Sequence, residues 1–329
     1  NQTTTFDYNG LGQLESVTDP RNHTTTFSYN ANGDLTCTVD ALANEINIAY
    51  DARSRITSVT NALTEVTSYE YDLAGRLKKI IYPDTNFVLF TYDLAGRRTK
   101  IKDPRGYETN FGYDAAYRLT SETNANSKTT SYAYDLMSNL TSVTDALNRT
   151  TNYEYDNFNL LKKIKYPEAT PGAGRLEENF AYDLAGNLLE KKDQANRITS
   201  FCYDPANRLS TVTDAASKVT TYEYNDRSQM TAVVDAINQR YEFDYDPLGR
   251  VTENIKGTDT MAFEYDPAGN RSKRTDYNGA ITNYTYDELN RLTTISYPDT
   301  TSPTYGYDDL SRLQTATNPT GTVTIGYDN

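Results

Sequence analysis

The chain has 329 residues, 37% of them hydrophobic, and a net charge of −13 from 32 Lys and Arg against 45 Asp and Glu. That balance argues against nucleic-acid binding, which calls for the opposite sign or a basic patch, and no window approaches the roughly 18 apolar residues of a membrane span. The 29 Tyr and 10 Phe, with no Trp, argue against disorder and, with the abundant Thr, favour strands.

Internal periodicity dominates the chain. A Tyr followed by Asp or Asn recurs at Tyr8, Tyr29, Tyr50, Tyr71, Tyr92, Tyr113, Tyr134, Tyr155, Tyr182, Tyr203, Tyr224, Tyr245, Tyr265, Tyr286, Tyr307 and Tyr327. Of the 15 intervals between these 16 copies, twelve are 21 residues, two are 20 and one is 27. Counted from the Tyr, position +1 is Asp in 13 copies and Asn in three, side chains that start turns by accepting hydrogen bonds from nearby backbone. Position +4 is most often Gly, as in Gly75, Gly96, Gly186, Gly249 and Gly269, and otherwise Asn, Ser or Tyr117. This mix predicts a backbone site with positive φ. Position +5 is Arg in eight of 15 copies, including Arg76, Arg97 and Arg250, and is expected to stack on or pair near the turn. Position +6 is aliphatic or Met in 13 of 15.

Within one copy, Thr67–Asp72 alternates with Tyr69 and Tyr71 on one face. Leu73–Gly75 turns the chain, Arg76–Tyr82 forms a second strand carrying Leu77, Ile80 and Ile81, and Pro83–Asn86 turns it again. The tetrads Asp19–Asn22 and Asp103–Gly106 fit type I turns, with Pro second and Asn or Gly fourth. Positions +6 and +9 are both apolar although three apart, which requires either a bulge in the second strand or burial of both faces. The long interval, between Tyr155 and Tyr182, places an insertion near Glu168–Gly174 at a hairpin tip. Residues 1–329 therefore read as one array of about 16 repeats with no separate domain. The array begins at Asn1 and ends at Asn329 in mid-pattern, which reads as a segment of a longer protein.

One such unit cannot bury enough surface to fold alone, so each hairpin must pair with its neighbours. The expected object is all-β: one continuous antiparallel sheet of about 32 strands, spiralling into a hollow barrel, cocoon or tube because open sheets twist. Its open edges invite self-association.

Chemistry is sparse. His23 is the only His and sits in a turn, so a His-based triad or metal site is excluded. Paired carboxylates such as Asp308 and Asp309 lie at repeat turns. No loop has EF-hand spacing or a phosphate-cradling glycine pattern. Cys37 and Cys202 read as two free, packed thiols. The reading is a non-enzyme without metal or cofactor. Rows of Tyr serve to pack hairpin on hairpin, with sugar stacking as the sharper alternative.

The segments Tyr71-Asp72-Leu73-Ala74-Gly75-Arg76-Leu77, Tyr92-Asp93-Leu94-Ala95-Gly96-Arg97, Tyr182-Asp183, Tyr245-Asp246-Pro247-Leu248-Gly249-Arg250 and Tyr265-Asp266-Pro267-Ala268-Gly269 define the repeat. Across essentially the whole length the chain resembles the YD-repeat, or Rhs (rearrangement hot spot), family. The resemblance implies a spiralling β-sheet that closes into a shell. In bacterial Rhs proteins and Tc toxin C components the shell encloses a C-terminal toxin, and in teneurins a similar barrel serves cell-surface adhesion. It implies a structural shell segment, secreted or at the cell surface, whose partners are an enclosed C-terminal polypeptide or further YD repeats. The alternative is an extracellular adhesin, a glycan binder or a fibre joined through sheet edges. The self-cleaving Asp motif that ends many family members is not recognisable here.

Overall fold

In the computed structural model, which describes residues 3–170 and 172–327, every element is a β-strand and 31 strands form one sheet, against the 32 expected. Pairing is antiparallel between strands consecutive in sequence, as for Val66–Tyr71 with Leu77–Ile81 and for the latter with Phe87–Tyr92. Each repeat is thus a hairpin plus the link to the next. By compactness the chain divides into two units, one of residues 1–89, 250–254 and 258–329, the other of residues 90–249 and 255–257.

The question left by the apolar pair at +6 and +9 is answered by a bulge. Tyr71 pairs with Leu77 and Glu70 with Lys79, so Leu77 and Lys78 together oppose Tyr71. The same slip occurs beside Tyr8, Tyr134, Tyr224 and Tyr307. The extra residue brings Leu77 and Ile80 onto the face of Tyr69 and Tyr71. That face carries Tyr, Leu and Val, while the other carries Thr, Ser, Asn and charge pairs such as Lys100–Glu108 and Lys273–Glu264. A single layer has nothing to cover it. Accordingly only Ala232 and Thr282 are fully buried among the described residues, and the Tyr face is half-buried by its own neighbours.

Both turns of the repeat have one design. In the Tyr–Asp turn, the Gly75 amide donates to the Asp72 carbonyl at 2.9 Å and the Asp72 amide to the Arg76 carbonyl at 2.9 Å. This is a type I turn closed by a left-handed residue, whose twist suits a hairpin. Gly75, Gly96, Gly186, Gly249 and Gly269 have φ of 84°, 86°, 87°, 83° and 95°. The link turn uses the same geometry, and its left-handed position is taken by Ala43, Thr64, Thr85 and Thr300 at φ of 64°, 65°, 70° and 68°. The sequence reading, built on Asn22 and Gly106, did not foresee Thr there.

The insertion leaves the ladder intact. Pro171 lies outside the described residues. The Arg175 side chain ties the loop back, donating to the Tyr166, Thr150 and Lys165 carbonyls and to Asn152 Oδ1 at 2.6–2.7 Å. Cys37 and Cys202 are free, but Cys202 is exposed rather than packed, because it sits one residue before Tyr203 on the open polar face.

Within the unit that holds both ends of the array, early and late repeats meet. The Arg21 side chain donates to the Asp287 carbonyl at 2.6 Å and to Asn290 Oδ1 at 2.7 Å. A link turn of the first repeat thus abuts a Tyr–Asp turn of a late one within this unit.

Candidate functional site

The feature repeated most faithfully is the junction between one Tyr–Asp turn and the next. It is built from four residue types. Asp at +1 organises the loop: Asp135 Oδ1 accepts from the Met137 and Asn139 amides, both at 2.9 Å. Two backbone donors are thereby satisfied inside a five-residue loop, as an Asx turn does. Asp183 does the same for Ala185 and Asn187, Asp266 accepts from the Asn270 amide, and Asp246 from the Leu248 amide.

The other oxygen of the carboxylate takes the side chain at +5. Arg Nε donates to Asp Oδ2 at 2.7–2.8 Å in the pairs Arg55–Asp51, Arg76–Asp72, Arg97–Asp93, Arg118–Asp114, Arg208–Asp204, Arg291–Asp287 and Arg312–Asp308. Hydrogen bonds from the Arg side chain and from backbone amides lower the carboxylates of Asp51, Asp72, Asp114 and Asp204 below their ordinary value. The Arg55 side chain, followed by backbone donors, takes Asp51 down to about 2. The Arg76 amide and then its side chain lower Asp72.

The guanidinium also reaches forward. Nη1 of Arg97, Arg118 and Arg208 donates to the carbonyl of the next repeat's Asp114, Asp135 and Asn225 at 2.7–2.8 Å. The same groups stack on the next repeat's Tyr, with Arg55 4.5 Å from the Tyr71 ring centre, Arg118 4.8 Å from Tyr134 and Arg250 4.4 Å from Tyr265. The sequence reading placed this Arg near its own turn. The structure shows that it bridges two turns.

The Tyr reaches backward. Beyond position +8 the ladder to the next hairpin stops, and the bulge leaves the +6 carbonyl without a strand partner. The next Tyr hydroxyl fills that place: Tyr71 donates to the Ile56 carbonyl, Tyr182 to Leu161, Tyr224 to Leu209, Tyr245 to Met230 and Tyr265 to Val251, at 2.6–2.9 Å. Tyr182 makes this bond across the insertion. Burial raises the phenol pKa of Tyr71, Tyr155, Tyr182 and Tyr245. The acceptor carbonyl was not foreseen from sequence. Its signal was the usual spacing of 15 residues between the +6 residue and the following Tyr, as in Leu209 to Tyr224.

So Tyr71, Asp72, Gly75, Arg76 and Leu77 meet in one cluster, as do the residues at 182–186, 245–250 and 265–269, while clusters of different repeats line up as a series. Among the described residues no group of three or more His, Cys, Asp and Glu side chains is arranged to hold a metal.

This architecture has known relatives. The family model described as Teneurin YD-shell matches residues 1–111 and 170–329, and the RHS Repeat model matches 113–147 and 138–171. The chain belongs to the teneurin YD-shell family. Its structure is similar to that of TcdB2-TccC3-Cdc42, with 15% identity, a TM-score of 0.81 and coverage of 96% of this chain. Similar agreement is found with TcdB2-TccC3 at 16% identity and TM-score 0.81, again over 96% of this chain. A Photorhabdus luminescens Tc holotoxin pore gives 16% identity and TM-score 0.65 over 98%. This YD-shell chain spans about a fifth of those chains: 20%, 20% and 22%. At such identities the likeness shows the fold alone. No curated protein matches the sequence.

Proposed function

We propose that this YD-repeat array is a length of wall in an Rhs-type shell that encloses a C-terminal toxin or other polypeptide of the same protein. The observation that carries this reading is the two-way linkage of successive turns, Arg forward and Tyr backward, along one sheet. Junctions are closed by strand ladder and Tyr hydroxyl, joined by a guanidinium where position +5 is Arg, and containment asks for that continuity and for no catalytic group. Sharing a fold with the TcdB2-TccC3 structures supports it. Further YD repeats are natural lateral partners, because the rim contact of Arg21 joins a link turn to a Tyr–Asp turn. The leucines at +2 of other Tyr–Asp turns stand open, with Leu73, Leu94, Leu136 and Leu184 exposed at 104%, 107%, 102% and 95%. A shell of this kind works outside the cytoplasm, secreted or at a cell surface.

The test is protease protection in the full-length protein. The polypeptide downstream of the array should survive digestion while the wall is intact, and should be cut when two adjacent Tyr clasps are removed together. Equal digestion in both states contradicts enclosure. Glycan binding by the intact array that is lost on changing Tyr to Ala would favour an adhesive, glycan-binding role instead.

A further inference from the structure

Beside the insertion, positive charge gathers on the polar face of a chain whose net charge is −13. Alternation along Leu161–Lys165 and Leu188–Lys192 puts Lys163, Lys165 and Lys192 on that face. Asn179 pairs with Lys163 on one side and with Lys192 on the other, so the three stand in a row across adjacent strands. Arg175, at the base of the insertion, adds a fourth cation. A cavity of about 490 Å³ opens here, with Lys163, Arg175, Glu177, Asn179, Lys192 and Asn196 in its wall.

Three of these cations are already engaged. Lys163 Nζ lies 2.9 Å from Glu177 Oε2. Lys165 is paired with Glu154. The Arg175 guanidinium is fixed by three carbonyls and Asn152 Oδ1. Lys192 is half-buried and has neither an ion pair nor a hydrogen bond among the described residues. Glu190, two residues earlier on the same face, makes no ion pair with it and is not in the wall. The side-chain amides of Asn179 and Asn196 are also without partners among the described residues.

Comparison of repeats shows what is missing. Where lysine holds the same strand position, as Lys102 and Lys165 do, the next strand sets a glutamate opposite, Glu108 and Glu177. Opposite Lys192 it sets Ile198. Lys191, on the Tyr face, does have its carboxylate, with Nζ 3.2 Å from Glu178 Oε2. A half-buried ammonium with no counter-ion, beside two unbonded amides, is matched by a monoanion that accepts several hydrogen bonds. We propose that this cavity binds a carboxylate from outside the array, with Lys192 as its counter-ion and Asn179 and Asn196 as supporting donors. An acidic residue of a polypeptide and a free organic acid present the same group, and the experiment separates them. The inference does not rest on the shell reading, since it follows from the register of the lysines.

The test is a titration of the chain with Nα-acetyl-glutamate methylamide and with propionate at constant ionic strength, followed at the Asn179 and Asn196 side-chain amide resonances. Saturable binding is expected, with the neutral glutamine analogue about tenfold weaker or more. Tighter binding of the glutamate analogue than of propionate assigns the carboxylate to a polypeptide, and binding no tighter assigns it to a free acid. Lys192→Gln keeps the aliphatic stem and should weaken binding about tenfold or more. Lys191→Gln removes the same charge from the opposite face and should leave binding unchanged. The inference is overturned if the glutamine analogue binds as well as glutamate, which needs no variant to establish. It is equally overturned if Lys191→Gln weakens binding as much as Lys192→Gln, or if no saturable binding is found.

Discussion

The junction at Tyr224 offers the sharpest test of how one repeat holds the next. The Tyr224 hydroxyl donates to the Leu209 carbonyl at 2.9 Å, and Arg208 lies 4.8 Å from the ring centre while donating to the Asn225 carbonyl at 2.8 Å. Tyr224→Phe keeps the ring and removes the hydroxyl. A neutral hydrogen bond is worth about 0.5–1.5 kcal/mol net, and an acceptor left unpaired costs about 1–3 kcal/mol where water is excluded. This carbonyl is half-exposed, so water partly replaces the hydroxyl, and the expected loss is about 1 kcal/mol. Tyr224→Leu combined with Arg208→Ala probes the stacking. Their effects on stability should fail to add by about 0.5–1 kcal/mol, the range for an exposed cation–π pair. Urea unfolding gives the totals, and amide exchange of the 206–225 peptide reports the local opening that a repeat array permits. Unchanged exchange and midpoint in Tyr224→Phe, together with strict additivity in the cycle, would refute the clasp.

Other consequences follow from the turns, the insertion and the titrating groups. Thr64→Gly relieves a β-branched residue at φ 65° and should stabilise by about 0.5–1 kcal/mol, read as a raised melting temperature. Arg175→Ala removes the anchor of the insertion and should speed proteolysis between residues 167 and 176, with about 1–3 kcal/mol of local stability lost, while Tyr182 and Leu161 stay paired. Because Asp51 is held at about 2 in the folded chain, its contribution is complete above the ordinary carboxylate range and is lost as pH falls towards 2. An acid titration followed by circular dichroism should therefore show the loss there, and less of it in Arg55→Gln. The buried phenols titrate above their ordinary value, so their contribution holds below about pH 10 and disappears as pH rises further. Alkaline unfolding should coincide with the tyrosinate absorbance.

The hairpin period, the Asx-type turns and the positive φ at Gly75 and its equivalents were all legible, because each rests on local chemistry that a single residue type reveals. The bulge was visible only as a conflict between Leu77 and Ile80, since alternation alone cannot say which residue drops out of register. The partners of Tyr71 and Arg97 were hidden for a related reason. Both act on the neighbouring repeat, and a side chain that bridges two identical units leaves the same pattern as one that serves its own. Thr64 and Thr85 were missed because a β-branched residue is a poor sign of left-handed backbone, and ladder pairing on either side imposes it there. The rim contact of Arg21 with Asp287 joins residues 266 apart, a separation that no periodicity predicts.

Amide hydrogen exchange across the whole chain tests most directly whether successive hairpins form one uninterrupted sheet. Protection should rise and fall with the 21-residue period through every repeat, slipping by six residues between Tyr155 and Tyr182 and then resuming. Isolated islands of protection separated by freely exchanging repeats would contradict a continuous wall.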